Sequence, residues 1–246
     1  MKIKNILISQ QAPLNGSPYT DLISKYKINI DFYPFFRVEP ITGREFRTQK
    51  INILDYTAVV FTAKSTIDAF FKICEDLRLT VPDTMKYFCL SEAVAPYLQK
   101  HIIYRKRKIF YGKGTIDSII DSIGTKHKNE KFLIATTDSC KPEIFKTFSK
   151  AKLKYSNAVF SKTVHSDLNE VDVKKYQMLV FYSPTDVASL IGNFPDFKQD
   201  DLLFATFGPT TAKAMKTAKL KTEIVTPTPE TPSIAKAIQL YLEKNK

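Results

Sequence analysis

The feature that most constrains the fold is a regular alternation of short apolar runs with amphipathic segments of about ten residues. One apolar run covers residues 57–62, and the segment that follows, 65–77, repeats its apolar residues at helical spacing. The same pair of patterns recurs along most of the chain, up to a last helix that we expect Thr231 to cap. Strands separated by helices of this length form parallel βαβ units. The alternation therefore predicts an α/β protein with parallel sheets flanked by helices.

Two segments interrupt this alternation. Residues 34–40 are bounded by prolines and suit neither a helix nor a buried strand, and residues 161–166 mix polar and apolar side chains. Before the first of them lie a predicted strand at 4–10, a helix capped by Ser17, and a strand at 28–33. We expect both interruptions to be connectors between domains.

Length and composition limit the class of protein. A chain of 246 residues can form one large domain or two smaller ones. It contains no run of eighteen apolar residues, so we expect a soluble, cytoplasmic protein without a membrane partner. Its three cysteines are widely spaced and have no histidine at ligand spacing, which indicates neither a disulfide framework nor a metal site.

The formal charge of +12 predicts a surface that attracts anions. Nucleic acid is the commonest partner of such a surface, but the charge is dispersed, and the tight basic run 104–108 leads directly into the apolar residues 109–111. We therefore expect no nucleic-acid partner. A small polyanionic metabolite is the alternative binding partner for this positively charged surface.

A predicted strand runs directly into a predicted helix over residues 203–215. Gly208 ends the strand, Pro209 suits a first helical turn, and Thr210 and Thr211 place hydroxyls beside amides that a helix start leaves unpaired. Such a junction can bind an anion. It lacks the lysine of a P-loop and the glycine spacing of a dinucleotide fingerprint, so an ordinary strand-to-helix turn is the competing interpretation.

A partial echo of this arrangement occurs earlier in the chain. The strand at 56–63 corresponds to the strand at 176–184, and each is followed within thirty residues by a strand–turn–helix, at 90–95 and at 208–212. The echo predicts two similar α/β domains facing each other. A ligand would lie in the cleft between them, at the carboxyl ends of both sheets.

Four stretches carry a family resemblance over essentially the whole chain. Residues 207–214, 181–184, 61–62 and 231–233 together resemble the uroporphyrinogen-III synthase family. The resemblance implies two α/β domains joined by a two-stranded connector. The domain limits it implies are 1–33 with 169–246 for domain one, 34–41 and 161–168 for the connector, and 42–160 for domain two.

The resemblance also implies a reaction and a set of substrate-binding residues. The substrate would be hydroxymethylbilane, a linear tetrapyrrole with acetate and propionate side chains, which loses water and closes with inversion of ring D. The resemblance implies no cofactor, and we expect the protein to be a monomer. The residues carried over to bind substrate carboxylates are Thr62, Lys64, Ser91, Ser183, Thr210 and Thr211, with Ser9 and Lys213 as weaker candidates. For each hydroxyl, a helix cap is the alternative role.

No residue is predicted to be catalytic, because His101, His127 and His165 lie in unrelated contexts and no triad pattern occurs. Hydroxyls common in the family are replaced by Ala63 and Val94. Ser161 takes the place of a tyrosine that is suspected of assisting departure of the hydroxyl, and Tyr111, Tyr155 and Tyr182 are possible substitutes. These departures motivate an alternative function, a non-catalytic tetrapyrrole- or anion-binding protein on the same scaffold.

Overall fold

A computed structural model describes residues 3–13 and 17–245, and helices and strands alternate along them. The described chain divides into two units, which are treated separately below. Unit 1 comprises the described residues up to Arg37 together with those from His165 onward, and unit 2 comprises Val38–Val164. The domain limits given above stay a prediction.

Unit 1 is built on a parallel sheet with the strand order β11-β10-β9-β1-β2, counted within the described residues. Apolar side chains of alternating strand residues pack against α6 and α7 on one face and against α1 and α8 on the other. Its strands are β1 (Asn5–Ile8), β2 (Asn29–Phe32), β9 (Met178–Phe181), β10 (Leu203–Phe207) and β11 (Ile224–Thr226). Its helices are α1 (Thr20–Tyr26), α6 (Pro184–Asn193), α7 (Pro209–Thr217) and α8 (Ile234–Lys244).

Unit 2 contains a sheet with the strand order β3-β8-β7-β4-β5-β6, in which β8 to β6 are parallel neighbours. The helix α3 covers one face, and α4 and α5 cover the other. Two strands overrun the limits of the unit: β3 begins two residues before it, and β8 ends one residue after it. The strands are β3 (Phe36–Pro40), β4 (Ala58–Phe61), β5 (Lys86–Cys89), β6 (Ile109–Tyr111), β7 (Lys131–Thr137) and β8 (Lys154–His165). The helices are α2 (Gly43–Thr48), α3 (Lys64–Asp76), α4 (Ile116–Ile123) and α5 (Glu143–Lys150).

The predicted α/β class with parallel sheets flanked by helices is confirmed. The buried strands were predictable because both of their faces are covered, so their sequences read as nearly continuous apolar runs. The phenylalanines at the ends of β4 and β9, Phe61 and Phe181, are both fully buried. Burial of one such side chain contributes roughly 1.5–3 kcal/mol, so these strand ends are firmly held.

Several local predictions were wrong. Ser17 does not cap the first helix, which begins at Thr20. The Ser17 hydroxyl instead accepts a hydrogen bond from the Tyr19 amide, within a turn that precedes the helix. The last helix is capped by Ser233 and not by Thr231, whose hydroxyl bonds to that of Thr228 instead. After the turn at residues 91–94, where the sequence predicts an α-helix from Glu92 to Lys100, the chain forms a 3-10 helix over Ala95–Lys100.

None of the helices within residues 3–13 and 17–245 is both long enough and apolar enough to cross a membrane. Over the same residues, histidine, cysteine, aspartate and glutamate side chains form no group that could hold a metal ion.

Candidate functional site

The carboxyl edge of the sheet in unit 1 is where three chain turns and two helix starts come together. Because the strands are parallel, their last residues lie at the same edge, and α6 and α7 begin there directly after β9 and β10. Ser9 follows β1 at this edge, and its amide donates to the Val180 carbonyl at 3.0 Å. The amide ends of both helices therefore point toward one strip of the unit's surface.

The start of α7 leaves its polar groups free. Gly208 precedes the helix with φ of 87°, a conformation that glycine adopts without strain, and no side chain caps the helix. Pro209 has no amide hydrogen, and the amides of Thr210 and Thr211 meet no acceptor among the described residues. An unpaired helix start of this kind favours a negatively charged ligand.

Two adjacent threonines of α7 have different environments. Thr210 is exposed, whereas Thr211 is 1% exposed and its Oγ1 has no hydrogen-bond partner among the described residues. A buried hydroxyl without a partner costs free energy, and it is seldom retained unless something else binds it. Thr211 thus offers an unused donor beside the open amides.

The start of α6, in contrast, is satisfied by the protein itself. The Ser183 hydroxyl accepts from the Asp186 amide at 3.2 Å, and Asp186 Oδ2 accepts from the amides of Tyr182 at 2.9 Å and Ser183 at 2.8 Å. Ser183 is therefore a helix cap, as the competing interpretation expected, and only its own hydroxyl proton stays available to a ligand.

Asp186 is a polar residue of this edge that sequence reasoning missed. The spacing Ser-x-x-Asp at 183–186 is the signal of a capping box and could have revealed it. The carboxyl is 1% exposed, and burial raises its pKa, while the hydrogen bonds from the amides of Tyr182 and Ser183 act in the opposite direction. Neither Ser9 Oγ nor Asp186 Oδ1 has a hydrogen-bond partner among the described residues.

The carboxyl edge of unit 2 brings Thr62 and Ser91 to neighbouring strand ends. Phe61 of β4 pairs with Cys89 of β5, and the Leu90 amide donates to the Phe61 carbonyl at 2.9 Å. The hydroxyls of Thr62 and Ser91 have no hydrogen-bond partner among the described residues, and both side chains are half-buried. Ala63 precedes α3 without a side-chain cap, so the first amides of that helix are open too.

Lys64 lies in the first turn of α3, next to an aromatic and charged cluster. Its Nζ lies 5.6 Å from the ring centroid of Tyr97, whose hydroxyl donates to Asp68 at 2.6 Å. The Asp68 carboxylate also binds Lys100 Nζ at 2.9 Å and His101 Nε2 at 2.8 Å. Lys64 forms no ion pair with the described residues, so its charge is available to an anion.

The predicted residues therefore form one group in each unit. Thr62, Lys64 and Ser91 come together in unit 2, and Ser183, Thr210 and Thr211 come together in unit 1. Lys213 lies exposed on α7. Val94 is 8% exposed and Ala63 is half-buried.

Ser161 lies within the packed interior of unit 2. Its side chain is 1% exposed, and Oγ has no partner among the described residues. The pairing of β7 with β8 shifts by one residue there, so that Phe160 and Ser161 are both buried. A tyrosine at position 161 would have to fit into this packed interior beside Phe160.

A large groove lies elsewhere in unit 1, at the amino ends of β9 and β10. It has a volume of about 1170 Å³ and is lined by residues 169–174, 176–177 and 193–202. Its acidic residues, which outnumber its two lysines, are Glu170, Asp172, Asp196, Asp200 and Asp201. Carboxylates in that number repel a polyanion, so the groove does not suit the predicted substrate.

The fold and these edges together define a class, that of α/β proteins with parallel sheets and uncapped helix starts at their carboxyl edges. A sequence-family model described as uroporphyrinogen-III synthase HemD matches residues 17–236. The chain therefore belongs to the uroporphyrinogen-III synthase family, which places it among the enzymes of porphyrin and tetrapyrrole biosynthesis.

Solved structures of similar proteins agree on the fold. The uroporphyrinogen-III synthetase from Helicobacter pylori is 14% identical, with a TM-score of 0.58 over 98% of this chain and 100% of that chain. A mutant uroporphyrinogen III synthase from the extremely thermophilic bacterium Thermus thermophilus is 13% identical, with a TM-score of 0.52 over 99% of this chain and 100% of that chain. No curated protein matches this chain in sequence. The comparisons give no support to the alternative of a non-catalytic binding protein.

Proposed function

We propose that this chain is a carbon–oxygen hydro-lyase that removes water from hydroxymethylbilane and closes the ring with inversion of ring D, giving uroporphyrinogen III. The reaction as proposed uses one copy of the chain and no cofactor. Family membership supports hydroxymethylbilane as the substrate. The hydrogen-bond donors at the carboxyl edge of each unit support binding through the carboxylates of that substrate.

The single observation that carries the proposal is the open start of α7. Two free amides and the buried, unpartnered hydroxyl of Thr211 form a set of donors without an internal acceptor among the described residues. A carboxylate accepts several such hydrogen bonds at once, and each one to a charged group contributes roughly 1.5–3 kcal/mol. The acetate and propionate groups of the bilane are ligands of this kind.

We propose that unit 2 supplies a second group of carboxylate ligands through Thr62, Lys64 and Ser91. The open amides at the start of α3 and the unpaired charge of Lys64 support this role. Ser183 takes part through its remaining hydroxyl proton, because its oxygen already accepts from Asp186.

The chemistry asks the protein mainly to restrain a flexible chain. The hydroxymethylpyrrole can expel its hydroxyl with the help of its own electron-rich ring, so the ring-closing geometry decides the product. Many hydrogen bonds to the carboxylates hold the bilane in one conformation and present the substituted carbon of ring D for attack. Fixing the reacting groups in this way lowers the entropic barrier.

The test is the isomer ratio of the product. Purified protein is incubated with hydroxymethylbilane, and the uroporphyrinogens are oxidised and separated. Isomer III is expected, since closure without the enzyme gives isomer I. A product that contains only isomer I would overturn the proposal and leave binding without catalysis.

Two lysines of one helix provide a matched pair of variants. Lys64→Met should raise KM because it removes an unpaired positive charge at the start of α3. Lys72→Met removes the same charge two turns further along, where Lys72 Nζ contacts Glu75 at 3.2 Å and Asp76 at 3.1 Å, and should leave KM unchanged. Equal effects of the two substitutions would point to general electrostatic attraction rather than to a site at Lys64.

A further inference from the structure

Two tyrosines share a hydrogen bond at the carboxyl edge of unit 1. Tyr182 directly follows β9 and Tyr19 directly precedes α1, and their phenolic oxygens are 2.8 Å apart. The Tyr182 ring stacks on Phe207 with centroids 5.6 Å apart, and the Tyr19 ring contacts Phe32 edge-on at 5.6 Å. Because Phe207 and Phe32 are the last residues of β10 and β2, the pair is held at the strand ends.

The pair has one phenolic proton that it does not use. In a hydrogen bond between two hydroxyls, one donates and the other accepts, so the accepting phenol keeps its own proton. Burial raises the pKa of both tyrosines; their shared hydrogen bond raises the pKa of Tyr19 further and lowers that of Tyr182. Tyr19 is 5% exposed, whereas Tyr182 is half-buried, so Tyr182 is the phenol of the pair that a ligand can reach.

Three other phenols that lie in or after strands are less suitable as proton donors. The Tyr33 hydroxyl, at the end of β2, donates to the Asp167 carbonyl at 3.0 Å, and the Tyr155 hydroxyl donates to the Phe145 carbonyl at 3.1 Å. Tyr111 is 43% exposed and lies 3.4 Å from a carboxylate oxygen of Glu92. Water and carboxylate surroundings do not polarise a phenol in the way that a donated hydrogen bond does.

We propose that Tyr182 is a catalytic residue of the synthase reaction, with its phenol donating a proton to the hydroxyl that leaves the bilane. The inference rests on the proposed function and names a residue that the sequence left as one of several. Tyr182 is half-buried and directly precedes Ser183, at the edge where Ser183 and the start of α7 are expected to bind carboxylates.

Proton transfer from Tyr182 accompanies loss of the hydroxyl. The bond between the hydroxymethyl carbon and its oxygen breaks. The electron-rich ring forms a double bond between its adjacent ring carbon and that carbon, and the pyrrole nitrogen becomes an iminium. The departing oxygen takes the Tyr182 proton and leaves as water. The resulting phenolate is stabilised by the hydrogen bond from Tyr19. The substituted carbon of ring D bonds to the new methylene carbon, and the bond from that ring-D carbon to the methylene of ring C breaks and re-forms at the unsubstituted carbon of ring D. The unsubstituted carbon then loses its hydrogen as a proton, which the phenolate regains. The bilane has then lost one water and Tyr182 is unchanged.

The first test is Tyr182→Phe, which keeps the ring and its stacking on Phe207. A lost general acid slows a reaction by about 10²–10⁴-fold, and we expect a fall in kcat near the lower limit because the pyrrole assists departure. KM should change little, since the carboxylates bind elsewhere. The matched control is Tyr33→Phe, a phenol at a neighbouring strand end, which should keep the kcat of the unmodified protein. Tyr19→Phe should lower kcat less than Tyr182→Phe.

A change of leaving group separates chemistry from structure. Acetate departs without a proton, so a synthetic bilane with an acetoxymethyl group should react equally fast with Tyr182→Phe and with the unmodified protein. A structural defect would slow both substrates. If the variant fails to fold, the role of Tyr182 can be tested with the unmodified protein. Its kcat should show a solvent deuterium isotope effect with hydroxymethylbilane and none with the acetoxymethyl bilane.

The outcomes distinguish this inference from the proposed function. If the unmodified protein forms isomer III, two results would refute the role of Tyr182 and leave the synthase function intact. One is an undiminished kcat of Tyr182→Phe, and the other is an equal loss of kcat with both bilanes. Absence of the isotope difference would refute it as well. If the unmodified protein forms isomer I and no isomer III, the synthase function is refuted, and the role of Tyr182 is refuted with it.

Discussion

Replacing Thr211 by valine should make the protein more stable and a poorer enzyme. The substitution exchanges a buried hydroxyl for a methyl group of nearly the same shape. Thr211 is 1% exposed and Oγ1 has no partner among the described residues, so the folded protein carries the desolvation cost of that hydroxyl. This cost is about 1–3 kcal/mol. The helix propensities of threonine and valine are similar, so they add little to the difference.

The expected gain in the free energy of unfolding is therefore about 1–3 kcal/mol, measured without ligand by urea unfolding followed by circular dichroism. The loss in function comes from the same atom. If Oγ1 donates to a substrate carboxylate, removing it costs about 1.5–3 kcal/mol of binding, a rise in KM of about 10- to 150-fold. Steady-state kinetics with hydroxymethylbilane measure this rise.

The control is Thr210→Val, which changes the preceding residue of the same helix. Thr210 is exposed, so its substitution releases no buried hydroxyl and should leave the free energy of unfolding unchanged. A Thr211→Val variant that is less stable than the unmodified protein would show that the hydroxyl has a partner in the folded state. An unchanged KM would remove Thr211 from the binding site.

Three further predictions concern stability. Burial lowers the pKa of His127 from 6.5, aided by Lys86, so the unfolded chain binds the proton more readily than the folded protein. The free energy of unfolding should therefore fall as pH drops through 6.5. Chemical unfolding at pH 7.5 and 5.5 should show a smaller fall for His127→Phe. Gly208→Ala should cost about 1–3 kcal/mol in urea unfolding, because φ of 87° strains any residue with a Cβ. The pKa of Glu45 is lowered to about 2, mainly by Lys162, so its contribution is present above pH 4.5 and lost toward pH 2; acid titration of Glu45→Gln should lack this loss.

Much of the fold was predictable because the buried strands are marked by composition alone. Elements that depend on a few residues were not. The helix Gly43–Thr48 has only six residues, too few for a periodic pattern, and its only local signal is the capping box of Thr42 and Glu45. The strand β8 extends to His165, through residues expected to form a separate connector, because its polar-apolar mixture suits a strand that is only partly covered.

The candidate site was predictable by residue type and less so by role. Hydroxyls after apolar strands indicate the carboxyl edge of a sheet, and the structure brings the predicted residues to such edges in each unit. Sequence treats Thr210 and Thr211 alike, whereas successive helical residues point about 100° apart, so the packing of α7 decides which one is buried. Likewise, only the folded chain shows that Ser183 is already bonded to Asp186.

One extra residue in a strand decides the position of Ser161. Regular alternation would place Phe160 and Ser161 on opposite faces of the sheet. In β8, however, Val159 pairs with Thr136 and Ser161 pairs with Thr137, so Phe160 is the extra residue of a bulge. Both Phe160 and Ser161 are then buried.

Ser161→Tyr should therefore destabilise the protein rather than accelerate it. Forcing a phenol into the packed interior of unit 2 costs about 1–3 kcal/mol, visible as a lower midpoint of urea unfolding. Ser161→Ala is the matched control, and it should be neutral or stabilising because it removes a buried hydroxyl that lacks a partner among the described residues. A folded Ser161→Tyr variant with a raised kcat would show that the bulge opens to let the phenol out. The acid would then be supplied from β8, and Tyr182 would not be needed for it.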